Sequence, residues 1–418
     1  ISCQVFCVDI YFLFFLVITL SFSNFSYIYA SDDEPNLNSK AAFLIDNKTN
    51  KVLYSKNPDE KMFPASTTKI VTAILVLENC KLNDIVTATA EGLASIPEGY
   101  VTANISVDEQ LTVEQLLELL LIHSANDAAN VLAIHVGGTI ANFVNMMNNK
   151  VYELNLSNTH FTNTYGLQDN NHYTTAHDLA TIMQYCLKNS DFRRIAGSSS
   201  CSISETNKSG SRFFSSTNEL LVPTSSYYYK YVTSGKTGFT TEAGECLVSS
   251  AYNNNLELVC VVLGGSVVDN VSTRFSESKI LYEYGFNNFS FKNIANPGDL
   301  ITQINVANGS YSTANLDLAF TDSINVLVNN NDLNTSYIPT INLNTNISAP
   351  ISQGDILGTV TYNIDGINYS SNLIATHNVE KSKLLEFICI IIMSFVILLI
   401  ILIIFFPKKS KNDDINID

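Results

Sequence analysis

The chain has 418 residues, 46% of them hydrophobic, and a formal net charge of −16. That apolar fraction is ample for a packed core and excludes general disorder, and the length calls for two or more domains. An acidic balance without a basic stripe excludes nucleic acid as the expected partner.

The first element in chain order is a targeting segment. Residues 11–20 are almost wholly apolar, and Ile28-Tyr29-Ala30 precedes Ser31-Asp32-Asp33-Glu34. Residues 1–30 therefore read as a secretory signal, although no Lys or Arg precedes Tyr11. Residues 41–46 and 51–54 flank Asn47-Lys48-Thr49-Asn50 and predict a β-hairpin. Residues 70–77 are nearly all apolar and predict a buried helix; 113–122 and 128–136 predict two more. Thr175-Ala176-His177-Asp178 has the form of a capping box opening a helix over 179–187. The Ser- and Thr-rich stretch 197–217 predicts a surface loop or exposed hairpin. Residues 246–251 and 256–263 are strand-like around Asn253-Asn254-Asn255, a second hairpin. Strands at both ends of a helical middle predict an α+β domain over 31–288, built on one antiparallel sheet.

From residue 289 the texture changes. Asn, Thr, Ser and Ile dominate, and short alternating runs such as 300–306 and 356–362 predict a β-rich domain over 289–380. Residues 384–406 predict a transmembrane helix, since the run 387–406 has the apolar length of about 20 residues that spans a bilayer. Lys408, Lys409 and Lys411 follow it, so the positive-inside rule places the tail 407–418 in the cytoplasm and the domains outside. Cys80, Cys186, Cys201, Cys246 and Cys260 fall in the exported part, odd in number and without C-x-x-C spacing. Neither a metal site nor a disulfide scaffold is indicated, and buried free thiols are expected.

Three short runs bear chemistry. In Ser66-Thr67-Thr68-Lys69, one helical turn stacks an amine over a hydroxyl. A serine becomes a useful nucleophile when a neighbouring base takes its proton, and a desolvated lysine can be that base. Ser124-Ala125-Asn126 lies in a break between two apolar helices, where a hydroxyl can relay a proton and an amide can hold a substrate. Lys236-Thr237-Gly238 precedes the second hairpin and is expected on an edge strand. There a peptide can dock, with Lys236 and Thr237 facing a terminal carboxylate and Gly238 leaving room. Each run has a bland reading. Ser276-Glu277-Ser278-Lys279 repeats the first spacing on an expected exposed helix face, and Ser216-Thr217-Asn218 and Ser370-Ser371-Asn372 repeat the second.

Taken in order, S-x-x-K, S-x-N and K-T-G resemble the low-molecular-mass penicillin-binding proteins, the serine D-alanyl-D-alanine carboxypeptidases. So do Pro64-Ala65, the run Leu111 to Ala129, Asn163-Thr164-Tyr165-Gly166-Leu167, His172 to Ala176, Gly235 to Thr240 and Glu242-Ala243-Gly244. The resemblance covers residues 40–286 and, more loosely, the β-rich segment. It implies a serine β-lactamase/DD-peptidase-like fold without a cofactor. It further implies that Ser66 attacks the bond between two terminal D-alanines of a peptidoglycan stem peptide, and that β-lactams acylate the same serine. Lys69 would be the base, Ser124 a proton shuttle and Asn126 a peptide-orienting group. Lys236 and Thr237 would hold the carboxylate, the N–H groups of Ser66 and Phe239 the oxyanion, and Arg274 would assist with the carboxylate or form a surface salt bridge. His172 and His177 are read as structural. The middle motif has Ala125 where an aspartate is common in S-D-N. A class A-like β-lactamase shares these motifs but clears its acyl-enzyme with a glutamate in E-x-x-L-N, and no such run is present between the second and third motifs. The same residues would also suit an endopeptidase acting on cross-links, or a non-catalytic sensor or wall-binding protein.

Overall fold

The computed structural model describes residues 34–94 and 96–405. The expected signal 1–30 and tail 407–418 lie outside the described residues. The chain divides into two compact units between Phe289 and Ser290.

In the first unit, β1 (Ala41–Asp46) and β2 (Val52–Lys56) form the expected hairpin. The helical lobe follows: α1 (Lys69–Asn79), the short β3 (Ile85–Thr87) and α2 (Ala90–Ala94), then β4 (Gln110–Thr112), α3 (Val113–Glu118), α4 (Asn126–Gly137), α5 (Ile140–Glu153), α6 (Ala176–Cys186) and α7 (Ser190–Ala196). A ribbon of β5 (Ser200–Ile203) and β6 (Arg212–Ser215) leads to β7 (Val232–Thr240), β8 (Gly244–Asn253) and β9 (Leu256–Gly265). The two-residue strands β10 (Val267–Val268) and β11 (Val271–Ser272) precede α8 (Thr273–Asn288). The main sheet is antiparallel, in the order β2-β1-β9-β8-β7. Sequence-distant ends of the unit thus meet, with β1 paired to β9 and β7 left at an edge.

Both faces of this sheet are covered, which explains why β8 and β9 read as almost unbroken apolar runs rather than alternating ones. Phe43, Ile45, Val259, Val261 and Val248 join the core of the helical lobe. On the opposite face, Ser249 Oγ meets Tyr282 Oη of α8 at 2.8 Å. An added Cβ at Gly285 of α8 would lie 2.6 Å from Leu258 and 3.1 Å from Leu44, so a glycine lets the helix lie close on the sheet. Helix α1 is buried on every side from Lys69 to Val76.

Local readings need correction in four places. Helix α6 begins at Ala176, earlier than expected, and only half of its capping box exists. Thr175 accepts from the Asp178 N–H, but the Asp178 carboxylate turns to the Asn158 N–H and the Thr159 hydroxyl. A reciprocal box is present instead between Thr112 and Gln115 at the start of α3. The helix expected over 113–122 is α-helical only to Glu118, then widens into a π-turn over Leu119–His123. Stretch 197–217 is a hairpin, yet Cys201 and Ile203 are buried in the core. Finally, the decoy Ser276–Lys279 is not an exposed face. Glu277 is buried and accepts from the N–H groups of Asn38 and Ser39, and buried Ser278 donates to the Arg274 carbonyl.

The second unit is β-rich, as composition predicts: β12 (Phe289–Ala295), β13 (Leu300–Asn305), β14 (Asn315–Phe320), β15 (Ile324–Asn329), β16 (Thr340–Leu343), β17 (Ile356–Ile364) and β18 (Ile367–Ala375). Five of these form a sheet ordered β13-β14-β18-β17-β16 around a core including Leu316, Val326, Val360 and Leu373. The last described element is α9 (Leu384–Phe405), 22 residues in which Glu386 is the only charged one. Counting described side chains alone, no helix is long and apolar enough to cross a membrane; those of Leu385 and Ile403 in α9 are outside that count. Of the cysteines, Cys186, Cys201, Cys246 and Cys260 are buried free thiols and Cys80 is half-buried.

Candidate active site

Ser66 sits in a 3₁₀ turn, Ala65–Thr68, that runs directly into α1. Residues three apart eclipse one another in such a turn, which brings the side chains of Ser66 and Lys69 together. The Lys69 Nζ donates to Ser66 Oγ at 2.7 Å, to Asn126 Oδ1 at 2.6 Å and to the Tyr165 carbonyl at 3.1 Å. Lys69 is fully buried. Burial first, and the positive charge of Lys236 second, hold its pKa well below the ordinary lysine range, against a smaller opposing pull from Asp127. A neutral Lys69 reverses the 2.7 Å contact, with the serine hydroxyl donating to the amine.

The turn begins at Ala65, whose φ is +47°. A non-glycine residue in the left-handed region needs support from its surroundings. Here Thr68 Oγ1 donates to the Ala65 carbonyl at 2.8 Å and meets His172 Nε2 at 2.8 Å. His172 accepts the Thr162 N–H at Nδ1, so its proton resides on Nε2 and points at Thr68. Burial depresses the His172 pKa to about 4, which keeps the ring neutral. The histidine is thus a strut under the nucleophile turn. Gly166 presses on the same peptide: its φ is +91°, and a Cβ there would lie 1.8 Å from the Ala65 carbonyl oxygen.

Ser124 closes the π-turn with φ +68° and is itself buried. The kink ends one helix and lets α4 begin at Asn126, aiming that amide at Lys69. The start of α4 also holds the segment 101–105. The Asn126 N–H donates to the Val101 carbonyl at 2.9 Å, and the buried Asp127 carboxylate accepts from the Ala103 and Ile105 N–H groups at 3.0 Å.

Lys236, Thr237 and Gly238 lie on β7, the sheet edge, paired with Val248, Leu247 and Cys246 of β8. Lys236 is fully buried, and its Nζ donates to the Thr237 carbonyl at 2.8 Å. Burial, then the charge of Arg274, lowers its pKa to about 7. Thr237 Oγ1 meets Thr217 Oγ1 at 2.7 Å. A Cβ on Gly238 would lie 2.9 Å from the Pro64 carbonyl and 3.0 Å from the Ser66 N atom, so the glycine lets β7 pass against the nucleophile turn. Arg274 Nη1 donates to the Gly238 carbonyl at 3.2 Å, and its Nη2 lies 3.9 Å from Glu245. That arginine is mostly buried rather than a surface ion pair, and it stands behind the strand.

A cavity of about 420 Å³ opens over Ser66, lined also by Tyr100, Val101, Asn126, Tyr165, Gly166 and the turn from Phe239 to Glu242. The structure therefore brings together Ser66, Lys69, Asn126, Gly238 and Phe239. Lys236 and Thr237 flank the group on β7, Ser124 joins it through the start of α4, and Arg274 joins it through the Gly238 carbonyl. Among the described residues, neither Ser124 nor Arg274 makes a hydrogen bond with Ser66. Sequence reasoning passed over Thr217, Tyr100 and the carbonyl of Tyr165. Thr217 carried a signal only as part of a decoy S-x-N run, and a backbone carbonyl leaves no trace in side-chain chemistry.

A desolvated lysine against a serine, with an amide and an edge strand converging on them, defines an acyl-transferring serine hydrolase. Comparison with known proteins narrows the class. The family model described as D-alanyl-D-alanine carboxypeptidase matches residues 29–267, and that for the C-terminal domain of penicillin-binding protein 5 matches residues 289–381. The chain is 30% identical over 355 residues to D-alanyl-D-alanine carboxypeptidase DacF of Bacillus subtilis (strain 168), covering 84% of this chain and 88% of the relative. It is 31% identical over 269 residues to a D-alanyl-D-alanine carboxypeptidase of Streptomyces sp. (strain K15), covering 60% of this chain and 89% of that one. The crystal structure of penicillin-binding protein 5 from Haemophilus influenzae superposes with a TM-score of 0.65 at 28% identity, covering 84% of this chain and all of that one. The chain belongs to the D-alanyl-D-alanine carboxypeptidase family of serine peptidases.

Proposed function

We propose that this chain removes the terminal D-alanine from peptidoglycan stem pentapeptides through an acyl-enzyme on Ser66, and that β-lactams acylate the same oxygen. The observation that carries the reading is the buried Lys69 amine, held 2.7 Å from Ser66 Oγ with its pKa depressed. Neutral Lys69 takes the serine proton as the oxygen attacks the carbonyl carbon. The developing oxyanion rests on the N–H groups of Ser66 and Phe239, donors of a kind each worth about 3 kcal/mol. Asn126 orients the substrate amide, and Lys236 and Thr237 face the terminal carboxylate at the strand edge, which Gly238 keeps close to the nucleophile turn rather than opening to the peptide. Arg274 adds positive field behind them. Ser124 relays the proton taken by Lys69 to the departing D-alanine nitrogen, and water then cleaves the ester, its hydroxyl going to the shortened peptide and its proton returning to Ser66. No cofactor or metal enters this scheme.

The test is incubation of the protein with a pentapeptide stem, products followed by mass spectrometry, beside labelling with a fluorescent penicillin. Loss of one alanine from the wild type is expected. Ser66→Ala should abolish both release and covalent labelling; release persisting in that variant would overturn the assignment.

The setting is part of the same proposal. Residues 1–30 direct export, α9 anchors the chain in the membrane, 407–418 lie in the cytoplasm, and the peptidase unit works on the outer face. In support, 22 helical residues rise about 33 Å, close to the roughly 30 Å of a bilayer core. Resistance to alkaline extraction of membranes, lost when α9 is deleted, would be the expected result.

A further inference from the structure

The cavity over Ser66 has one wall that the catalytic motifs do not supply. Gly99, Tyr100 and Val101 line it, and the stretch from Ile96 to Ile105 separates it from a second cavity of about 320 Å³ behind. Ala103 and Ile105 are buried in the core, but the part that faces the cavity, Gly99 to Val101, is exposed and depends on the polar fastenings of the residues that follow it. Those fastenings converge on 101–105. From α4, the Asp127 carboxylate accepts the N–H groups of Ala103 and Ile105, and the Asn126 N–H donates to the Val101 carbonyl. His123 Nε2 lies 3.2 Å from the Thr102 carbonyl. From the β5–β6 hairpin, Arg212 Nη1 donates to the Ala103 carbonyl at 3.0 Å, while its Nη2 pairs with the fully buried Glu109. Glu109 in turn accepts the Ser106 N–H at 2.9 Å. Asp127 is 2% exposed, and its position just after Asn126 makes the α4 start serve both Lys69 and this wall.

Lys236 and Thr237, the groups facing the terminal carboxylate, do not line the 420 Å³ cavity. Along β7 the residues that do line it, Phe239 and Thr240, follow those two, so in the proposed scheme a peptide with its carboxylate at 236–237 runs its upstream residues past this cavity, on the acyl side of the scissile bond. We infer that Asp127 and Arg212 are positioning residues that set the Tyr100–Val101 wall, and through it the enzyme's preference for a full-length stem over a bare acylated D-Ala-D-Ala. The inference rests on the proposed carboxypeptidase reading and adds the part of the molecule that grips the rest of the substrate.

The experiment uses the full chain and two substrates with the same scissile bond: a stem pentapeptide and an N-acylated D-Ala-D-Ala lacking upstream residues. Asp127→Asn keeps shape but replaces an accepting oxygen with a donor, and Arg212→Lys keeps the charge beside Glu109 but loses the fork that reaches Ala103. Each should lower the ratio of kcat/KM for the pentapeptide to that for the short substrate, by about tenfold in Asp127→Asn, mainly through KM. Asp127 also acts on the field at Lys69, but that effect enters acylation of both substrates alike and cancels in the ratio. Hydrogen exchange at the Ala103 and Ile105 amides should quicken by about tenfold or more in Asp127→Asn while the core of α1 stays protected. An unchanged ratio, or equal losses on both substrates with a lower melting temperature, would overturn the inference. Absence of D-alanine release from either substrate by the wild type would count against the proposed function instead, and the exchange measurement would still decide whether Asp127 holds the wall.

Discussion

At the scale of single residues, the site places two lysines where lysines are unwelcome. Lys236 is fully buried, and its pKa of about 7 lies below the roughly 10.4 of an unfolded chain. Between those values the unfolded chain keeps a proton that the folded one has released, so this group makes stability rise with pH across that window. Below about pH 7 both states are protonated and the folded state bears the whole penalty of the buried charge. Lys236→Met should therefore stabilise the protein at neutral pH by on the order of 2–4 kcal/mol, with the gain shrinking toward about pH 10. Urea unfolding at about pH 7 and about pH 9.5 measures this, and D-alanine release should be lost in the same variant. Gly166 tests the opposite strategy, a position where nothing but hydrogen fits. Gly166→Ala should cost more than about 2 kcal/mol, because φ is +91° and the new methyl would collide with the Ala65 carbonyl. It should also slow penicillin acylation by roughly a hundredfold, since the displaced peptide carries Ser66.

At the scale of elements, what the sequence disclosed and what it withheld have physical causes. Apolar runs announced α1, β8 and β9 because burial on all sides leaves an uninterrupted signature. The edge position of β7 followed from a hairpin that had to sit on one side of it. The nucleophile, amine, amide and carboxylate-facing residues were legible because side-chain chemistry is written in residue identity. The Tyr100–Val101 wall was not, since its fastenings join the side chains of Asp127, His123 and Arg212 to backbone groups distant from them in the chain. Ser276–Lys279 misled for a related reason: the helix turns Glu277 and Ser278 inward, and a spacing rule cannot report which way a helix faces. The passage from α3 through the π-turn to Ser124 is the element most exposed to test. Thr112 anchors its start through the box with Gln115. Thr112→Ala should lower stability by about 1 kcal/mol in thermal melts, with little effect on the short helix α7 elsewhere in the lobe.

At the scale of the whole molecule, two cores serve two units. The apolar cluster of the first lies between Ala41 and Leu263, and that of the second between Ala295 and Val379. Every residue lining the cavity over Ser66 belongs to the first unit. A fragment covering 34–289 should therefore fold alone and cleave a soluble pentapeptide with kcat/KM within about threefold of the full chain; far-ultraviolet circular dichroism and D-alanine release measure the two parts. The left-handed Ala65 beneath Ser66 has a consequence in time as well as in space. Its supports are His172, Gly166 and the passage of Gly238, all of which leave the ribosome well after residue 66. Lys69 likewise becomes a base only when burial has stripped it of water. A growing or half-folded chain thus displays its serine in a harmless form, and reactivity switches on when β7 docks. Covalent capture of a penicillin is accordingly a stopwatch for folding, counting only those molecules in which residue 238 has already come to rest beside residue 66.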